Sequence, residues 1–380
     1  MNKFELVLKN LKRNKITSNF SLHKPVFDNK DIRSLSETIK TSWVSTKGKK
    51  TFEFEKALQK YLSAKYSIAT NSGTSALFLA LKSLGVKSGD EVIMPNISFI
   101  AVPNAIIYNQ AIPHLVDTIK DELNICPHKL EKYLIQTTKI INNKCINKKT
   151  GNKIAGLVCV HVFGHMCEMD KLRKICKKFK IFLIEDAAEA LGSKYNNKNP
   201  GYYSDIATIS FNGNKIITSG AGGAVITNKK KLYKKVISLS TLSNKPNCLH
   251  QNFTGLGYNL RMPSLNAALG ITQLKKINLQ VLKKRKIYVN YKKLFEKEKF
   301  FYLLSENRKQ KSNYWLQCII LRKTFAKNTI DLFQKFKKKN ISVRMLWSTM
   351  NTIPYLKKCP KSKLKNSLEI SKRVICIPSN

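Results

Sequence analysis

Nowhere in the 380 residues do two cysteines stand in a CxxC spacing, and nowhere do eighteen apolar residues run together. The first absence leaves no zinc-ribbon or thioredoxin-like pattern, and the second leaves no segment able to cross a bilayer as a helix. The nine cysteines are odd in number and irregularly spaced, and several sit in apolar runs such as Val158-Cys159-Val160. They read as reduced, buried thiols, and no metal is expected. The opening Met1-Asn2-Lys3-Phe4-Glu5-Leu6 lacks the apolar core of a signal peptide, so a cytoplasmic protein without a membrane partner is expected. Acids are scarce as well, 23 against 69 lysines and arginines, and the net charge is +46. Such an excess first suggests a polyanion partner. Arginine, however, supplies only nine of the 69 basic residues, whereas phosphate and base recognition favours its planar fork. The 60 lysines are spread over every expected helix in company with Asn and Ile, as in Ile140-Ile141-Asn142-Asn143-Lys144. This is the pattern an A+T-rich coding sequence writes on tolerant surfaces, so no nucleic-acid partner is expected.

What is present is a globular chain, 43% hydrophobic, long enough for one large domain and a smaller one. Short apolar strands alternate with helices. Ser67-Ile68-Ala69-Thr70, Asp90 to Pro95, Ile112 to Asp117, Ile154 to His161 and Ile181 to Asp186 read as strands. Helices are expected from Asp31 to Lys40, after Asn71-Ser72-Gly73-Thr74, from Ser98 onward and from Asp170 to Phe179, with a helix and a basic loop across 118–150. Strand-helix alternation predicts a parallel α/β sheet. A single long helix is expected to end near Lys299, followed by a smaller α/β unit to the C-terminus, while the first 24 residues read as a lysine-rich amphipathic helix and a polar link.

The chain is organised around Ile209-Ser210-Phe211-Asn212-Gly213-Asn214-Lys215, a strand that runs into a lysine and then a glycine-rich turn. An exposed lysine is protonated at pH 7, and flanking apolar segments free its amine as a nucleophile by desolvating it. Taken alone, Lys215 reads equally as a solvated loop cation. Asp186 and Glu189 close a buried strand in Ile184-Glu185-Asp186-Ala187-Ala188-Glu189, at the carboxyl end where ligand chemistry collects in such sheets. A buried acid there is costly unless it meets a cation, although a capping Asp is common at strand ends. Gly73 and Thr74 open a helix whose free N–H groups suit an anion, and an ordinary N-cap has the same composition.

The strand-end Asp-Ala-Ala-Glu, the Ser-Phe-x-x-x-Lys strand-turn and the Ser-Gly-Thr helix start together resemble the pyridoxal 5'-phosphate enzymes of aspartate-aminotransferase fold (fold type I), specifically the DegT/StrS-type nucleotide-sugar aminotransferases. Leu22-His23-Lys24-Pro25, Trp43-Val44-Ser45, Leu256 to Pro263 and Cys376-Ile377-Pro378-Ser379 look most similar to the branch serving legionaminic acid and bacillosamine synthesis. The resemblance implies an N-terminal helical extension over 1–24, a large cofactor-binding domain with a mostly parallel sheet over 25–268, and a connecting helix with a small α/β domain over 269–380. It implies that Lys215 holds the cofactor and shuttles a proton, that Asp186 faces the pyridine nitrogen, and that Glu189, where many relatives have Gln, lies by the ring hydroxyl. Phe99 would stack on the ring, and Gly73, Thr74 and Ser210 would hold the phosphate. A residue of the second subunit of a homodimer, Asn259 first and Arg261 second, would complete the phosphate cup. Trp43, Lys47, His161, Arg344 and Trp347 are expected around the sugar and its diphosphate. A lysine rather than a histidine at 215 implies transamination: L-glutamate donates to carbon 4 of a UDP- or GDP-linked 4-keto-6-deoxy-N-acetylhexosamine. A perosamine-type sister enzyme and a basic regulator on an inactive scaffold are the competing readings. Ala221 and Asn351 depart from the family pattern, where Gly and His are expected.

Overall fold

Seven short strands rich in Ile, Val and Ala build the central sheet: β1 (Tyr66–Thr70), β2 (Glu91–Pro95), β3 (Ile112–Val116), β4 (Lys153–Val160), β5 (Phe182–Asp186), β6 (Ile206–Ser210) and β7 (Gly223–Thr227). The structure, a computed structural model, describes residues 22–245 and 252–380; most of the amphipathic helix expected over 1–24 lies outside the described residues. The strands run in the order β1-β7-β6-β5-β4-β2-β3. All neighbours pair in parallel except β7, which is antiparallel to both β6 and β1. Every residue of β2, β6 and β7 is buried, as a sheet covered on both faces requires.

This topology decides where chemistry can occur. Strands β4, β5 and β6 end side by side in Val160, Asp186 and Ser210, and β7 begins beside them because Gly223 pairs with Ser210 and with Thr70. The loops leaving that edge carry the residues of the central stretch.

The helices flank the sheet. Helix Asn29–Lys40 opens with a full capping box between Asp28 and Asp31, and helix Gly73–Ser83 is capped by the Ser72 side chain. Between helix Pro127–Thr137 and β4, where a basic loop is expected, a hairpin of Thr138–Ile141 and Lys144–Asn147 pairs antiparallel with the first residues of β4. Asn142 and Asn143 supply its two left-handed positions, at φ 46° and 59°. The long helix expected beyond Ala268 is in fact two, Ser264–Lys275 and Ile277–Leu294. Lys276 sits between them at φ −95°, ψ −5°, its amine held by Asp28 at 2.9 Å and Asp31 at 2.6 Å.

A four-stranded antiparallel sheet follows, β8 (Phe301–Leu303), β9 (Gln317–Leu321), β10 (Arg344–Met345) and β11 (Val374–Ile377), in the order β8-β9-β11-β10. With helix Thr329–Lys338 it encloses its own core of Tyr291, Phe295, Phe301, Leu332 and Phe336 among others. Among the described residues no helix is long and apolar enough to cross a membrane.

Candidate active site

Successive residues of a strand point to opposite faces, so the two acids that end β5 have different surroundings. Glu185 is satisfied: one oxygen accepts from His161 Nε2 at 2.9 Å and the other from the Gly201 amide at 3.0 Å. Asp186 is 5% exposed, takes one hydrogen bond, from the Ala188 amide at 3.1 Å, and has no ion pair among the described residues. Burial without a cation raises its pKa to about 6.

Across from it stands the turn after β6. Ser210, Phe211 and Asn212 leave the strand, and the Lys215 amide donates back to Asn212 O at 3.0 Å, closing a tight turn that carries the lysine inward. Its Nζ donates to Glu189 Oε1 at 3.2 Å and lies 4.4 Å from the centre of the Trp315 ring. The Trp315 indole is fixed in turn by Asn214 O at 2.8 Å. The second oxygen of Glu189 accepts from the Phe163 amide at 2.9 Å, in a turn where Phe163 itself adopts φ 54°. Glu189 thus anchors the lysine and a strained turn together.

The third wall is a helix start. Ser72 Oγ accepts from the Ser75 amide at 3.0 Å, which leaves the Gly73 and Thr74 amides without an intrahelical acceptor at the positive end of the helix. Glycine is required at 73 by space, because a Cβ there would stand 2.9 Å from the Ser210 Cβ. The close approach brings the Ser210 hydroxyl beside those amides.

These three walls enclose one cavity of about 300 Å³, lined by Gly73, Thr74, Phe99, Asp186, Glu189, Ser210, Lys215, Trp315, Arg344 and Trp347 among others. Phe99, 50% exposed, stands edge-on to Trp347 at 5.9 Å. Arg344 brings Nε and one terminal nitrogen that are buried without a hydrogen-bond partner among the described residues. It also lines an adjoining hollow of about 640 Å³ with Asn214, Trp315 and Lys337.

Nine of the residues expected from the sequence therefore meet in one cavity. Trp43, Lys47 and Asn259 do not: they are exposed on the surface of the single chain and line no part of it. Arg261 is drawn away by Glu55, at 2.7 Å. His161 packs on the far side of β5, where its Nδ1 accepts from the Cys167 amide at 3.2 Å, so the ring proton sits on Nε2 and faces Glu185. Cys159 and Cys167 lie with His161 in one buried group, their ligand atoms within 4.8 Å. Each already has a protein partner: Cys159 donates to Ile184 O and Cys167 to Val160 O. Sequence reasoning missed Trp315, Asn214 and His23 as parts of the site, since an aromatic in an apolar run and a histidine far upstream carry no local sign of the lysine they meet.

Residues 25–380 match the DegT/DnrJ/EryC1/StrS aminotransferase family, and the chain belongs to it. It is 30% identical over 362 residues to a chain named as a pyridoxal phosphate-dependent aminotransferase, EpsN of Bacillus subtilis (strain 168), covering 94% of this chain and 90% of that one. A GDP-perosamine synthase of Escherichia coli O157:H7 is 32% identical over 91% of this chain and 90% of its own. A UDP-4-amino-4,6-dideoxy-N-acetyl-beta-L-altrosamine transaminase of Campylobacter jejuni serotype O:23/36 is 33% identical over 92% and 90%. Among solved structures, Helicobacter pylori PseC, an aminotransferase involved in the biosynthesis of pseudoaminic acid, superposes with a TM-score of 0.85 at 26% identity, over 94% of this chain and 93% of that one. The fold is that of the fold type I enzymes, and the chain is a pyridoxal-phosphate-dependent sugar aminotransferase, acting on a nucleotide sugar with an amino donor.

Proposed function

We propose that Lys215 carries the cofactor and that the enzyme transfers an amino group from L-glutamate to carbon 4 of a nucleotide-linked 4-keto-6-deoxy-N-acetylhexosamine, for an amino sugar of the legionaminic acid or bacillosamine type. The observation that carries the reading is a buried carboxylate without a cation facing the same cavity as a lysine amine. The residues present fit pyridoxal phosphate. Asp186 lacks the positive partner that a pyridinium nitrogen provides, the Gly73 and Thr74 amides and the Ser210 hydroxyl suit its phosphate, and the half-exposed Phe99 ring offers a stacking face.

When bound, the cofactor supplies an electron sink and stores the amino group between the two half-reactions. The chain's own residues do the rest. Asp186 holds a proton at the ring nitrogen, in a site dry enough for that charge pair to be strong. Lys215 moves a proton at the donor's α-carbon, and Glu189, 3.2 Å from its amine in the cofactor-free chain, is placed to hold that amine whenever the cofactor has left it. Arg344, with two nitrogens unpartnered among the described residues, binds an anionic group of the substrate, and Trp347, edge-on to Phe99, closes over the sugar. The enzyme is a homodimer in this reading: Asn259 of the partner subunit reaches the phosphate, since Asn259 is free at the surface whereas Arg261 is engaged by Glu55. Trp43 and Lys47 act from the same interface. In this reading the large and small domains divide between 268 and 269, inside helix Ser264–Lys275, the first of the pair that joins them.

A perosamine-type reading is favoured by the likeness to the GDP-perosamine synthase. Borohydride reduction of the loaded enzyme followed by peptide mass mapping places the cofactor on the peptide containing Lys215; a label on another lysine rejects the site. Turnover with L-glutamate on a panel of UDP- and GDP-linked 4-keto-6-deoxy sugars is expected to be highest on an N-acetylated one. Preference for a GDP sugar without the N-acetyl group replaces this reading by the perosamine type.

A further inference from the structure

Behind the turn that carries Lys215 lies a polar relay that the proposed chemistry leaves unused. His23 comes from the segment just before the first described helix, is largely buried, and has its Nε2 at 2.8 Å from the Lys215 carbonyl oxygen. A carbonyl only accepts, so Nε2 carries the ring proton and Nδ1 is left as a lone pair. Lys284 Nζ lies 2.7 Å from that Nδ1 and also donates to Ser379 O. Lys284 is 3% exposed and has no acid within ion-pairing distance among the described residues. Neighbouring residues are tied in as well: the Ser379 amide donates to Leu22 O at 3.0 Å, and Gln317 donates to Lys284 O at 3.2 Å.

We infer that His23 is a positioning residue for Lys215, held in a single tautomer by Lys284, and that this relay fixes the backbone from which the cofactor-bearing side chain reaches into the cavity. The inference rests on the assignment of the cofactor to Lys215. The surroundings agree with a neutral His23 ring. Burial and the Lys284 charge lower the His23 pKa to about 3, and burial lowers that of Lys284 to about 7. In either protonation state the Lys284 amine has a proton for His23 Nδ1 and one for Ser379 O, so both acceptors are satisfied. The charged groups that face the relay are Lys215 itself and, through its amine, Glu189, while Arg344 and Lys337 line the hollow that His23 borders.

The test compares His23→Leu with His23→Gln, whose amide can donate to Lys215 O and accept from Lys284 where leucine can do neither, and adds Lys284→Met as a second break in the relay. The readouts are the dissociation constant for pyridoxal phosphate, the pH titration of the visible band of the bound cofactor, and borohydride mapping. In His23→Leu and in Lys284→Met the dissociation constant is expected to rise about three- to tenfold, the weight of one hydrogen bond, and the visible band to titrate at a shifted pH, with His23→Gln returning both toward the parent. A cofactor still mapped to Lys215, with unchanged affinity and titration in His23→Leu, overturns the inference and leaves the site assignment intact. Equal losses in His23→Leu and His23→Gln overturn it too, because they mark a packing role. A cofactor mapped to a different lysine in the parent enzyme overturns the site assignment and the inference with it.

Discussion

Glu185 and Asp186 are neighbours in sequence, both buried, both at the end of one strand, and they face opposite fates. Glu185 looks into protein and meets an imidazole N–H and a backbone amide. Asp186 looks into a cavity and meets one amide and, among the described residues, no cation. Desolvation that is compensated makes a structural group; desolvation left uncompensated stores free energy that a positively charged ligand can release. The same contrast separates Arg261, ion-paired with Glu55, from Arg344, which has no ion pair among the described residues. Within the cavity, Asp186 and Arg344 are the unfinished polar groups that a charged ligand would complete.

The contrast can be broken most violently at the lysine. Lys215→Ala is expected to lower turnover by at least about a thousandfold, the scale of losing a nucleophile and proton shuttle together, and to abolish the visible cofactor band; steady-state rates and absorbance check both. Asp186→Asn keeps the shape and removes the charge, and is expected to cost roughly a hundredfold in kcat/KM. In the cofactor-free protein the same change acts on stability in the opposite sense. Because folding raises the Asp186 pKa from 3.8 to about 6, the carboxyl favours the folded state below about pH 4 and loses that contribution as pH rises through about 6. Denaturant titrations of parent and Asp186→Asn should therefore diverge between those pH values, with the parent losing up to about 3 kcal/mol relative to the variant.

On the other face of the strand the expected loss is of fold rather than of chemistry. His161→Leu strands Glu185 in the interior, and breaking a buried pair costs about 3–5 kcal/mol, readable as a lowered denaturation midpoint. The folded fraction should still bind pyridoxal phosphate with parental affinity, since His161 lies outside the cavity. A parental midpoint with lost cofactor binding would invert the comparison. The smallest effect expected is that of salt. If the +46 charge is spread over tolerant surface, kcat/KM changes by less than about twofold between 50 and 300 mM salt, whereas a steep decline would mark an anionic partner.

The elements around the site were readable because each leaves a short-range mark. Asp186 and Ser210 close apolar strands, Gly73 follows a helix-capping serine, and Lys215 follows a strand within a glycine-rich turn. The hairpin over 138–147 was not readable, since Ile140-Ile141-Asn142-Asn143-Lys144 has the composition of a basic loop and becomes a strand pair by pairing with the first residues of β4. The break at Lys276 was hidden for a similar reason: lysine is a good helix former, and two aspartates far upstream claim its amine.

Taken by itself, the sequence determined the alternation of strands and helices, the sheet edge where the chemistry collects, and the residue types that meet there, because hydrophobic periodicity and turn chemistry act over a few residues. Only the tertiary structure decided which buried polar groups are finished and which are left waiting. Whether Asp186 meets a cation, whether His161 faces the cavity or the core, and whether His23 reaches the Lys215 carbonyl 192 residues away depend on contacts between distant segments. Those contacts exist only once the chain has packed, and the free energy of a buried polar group is set by the partner it finds there.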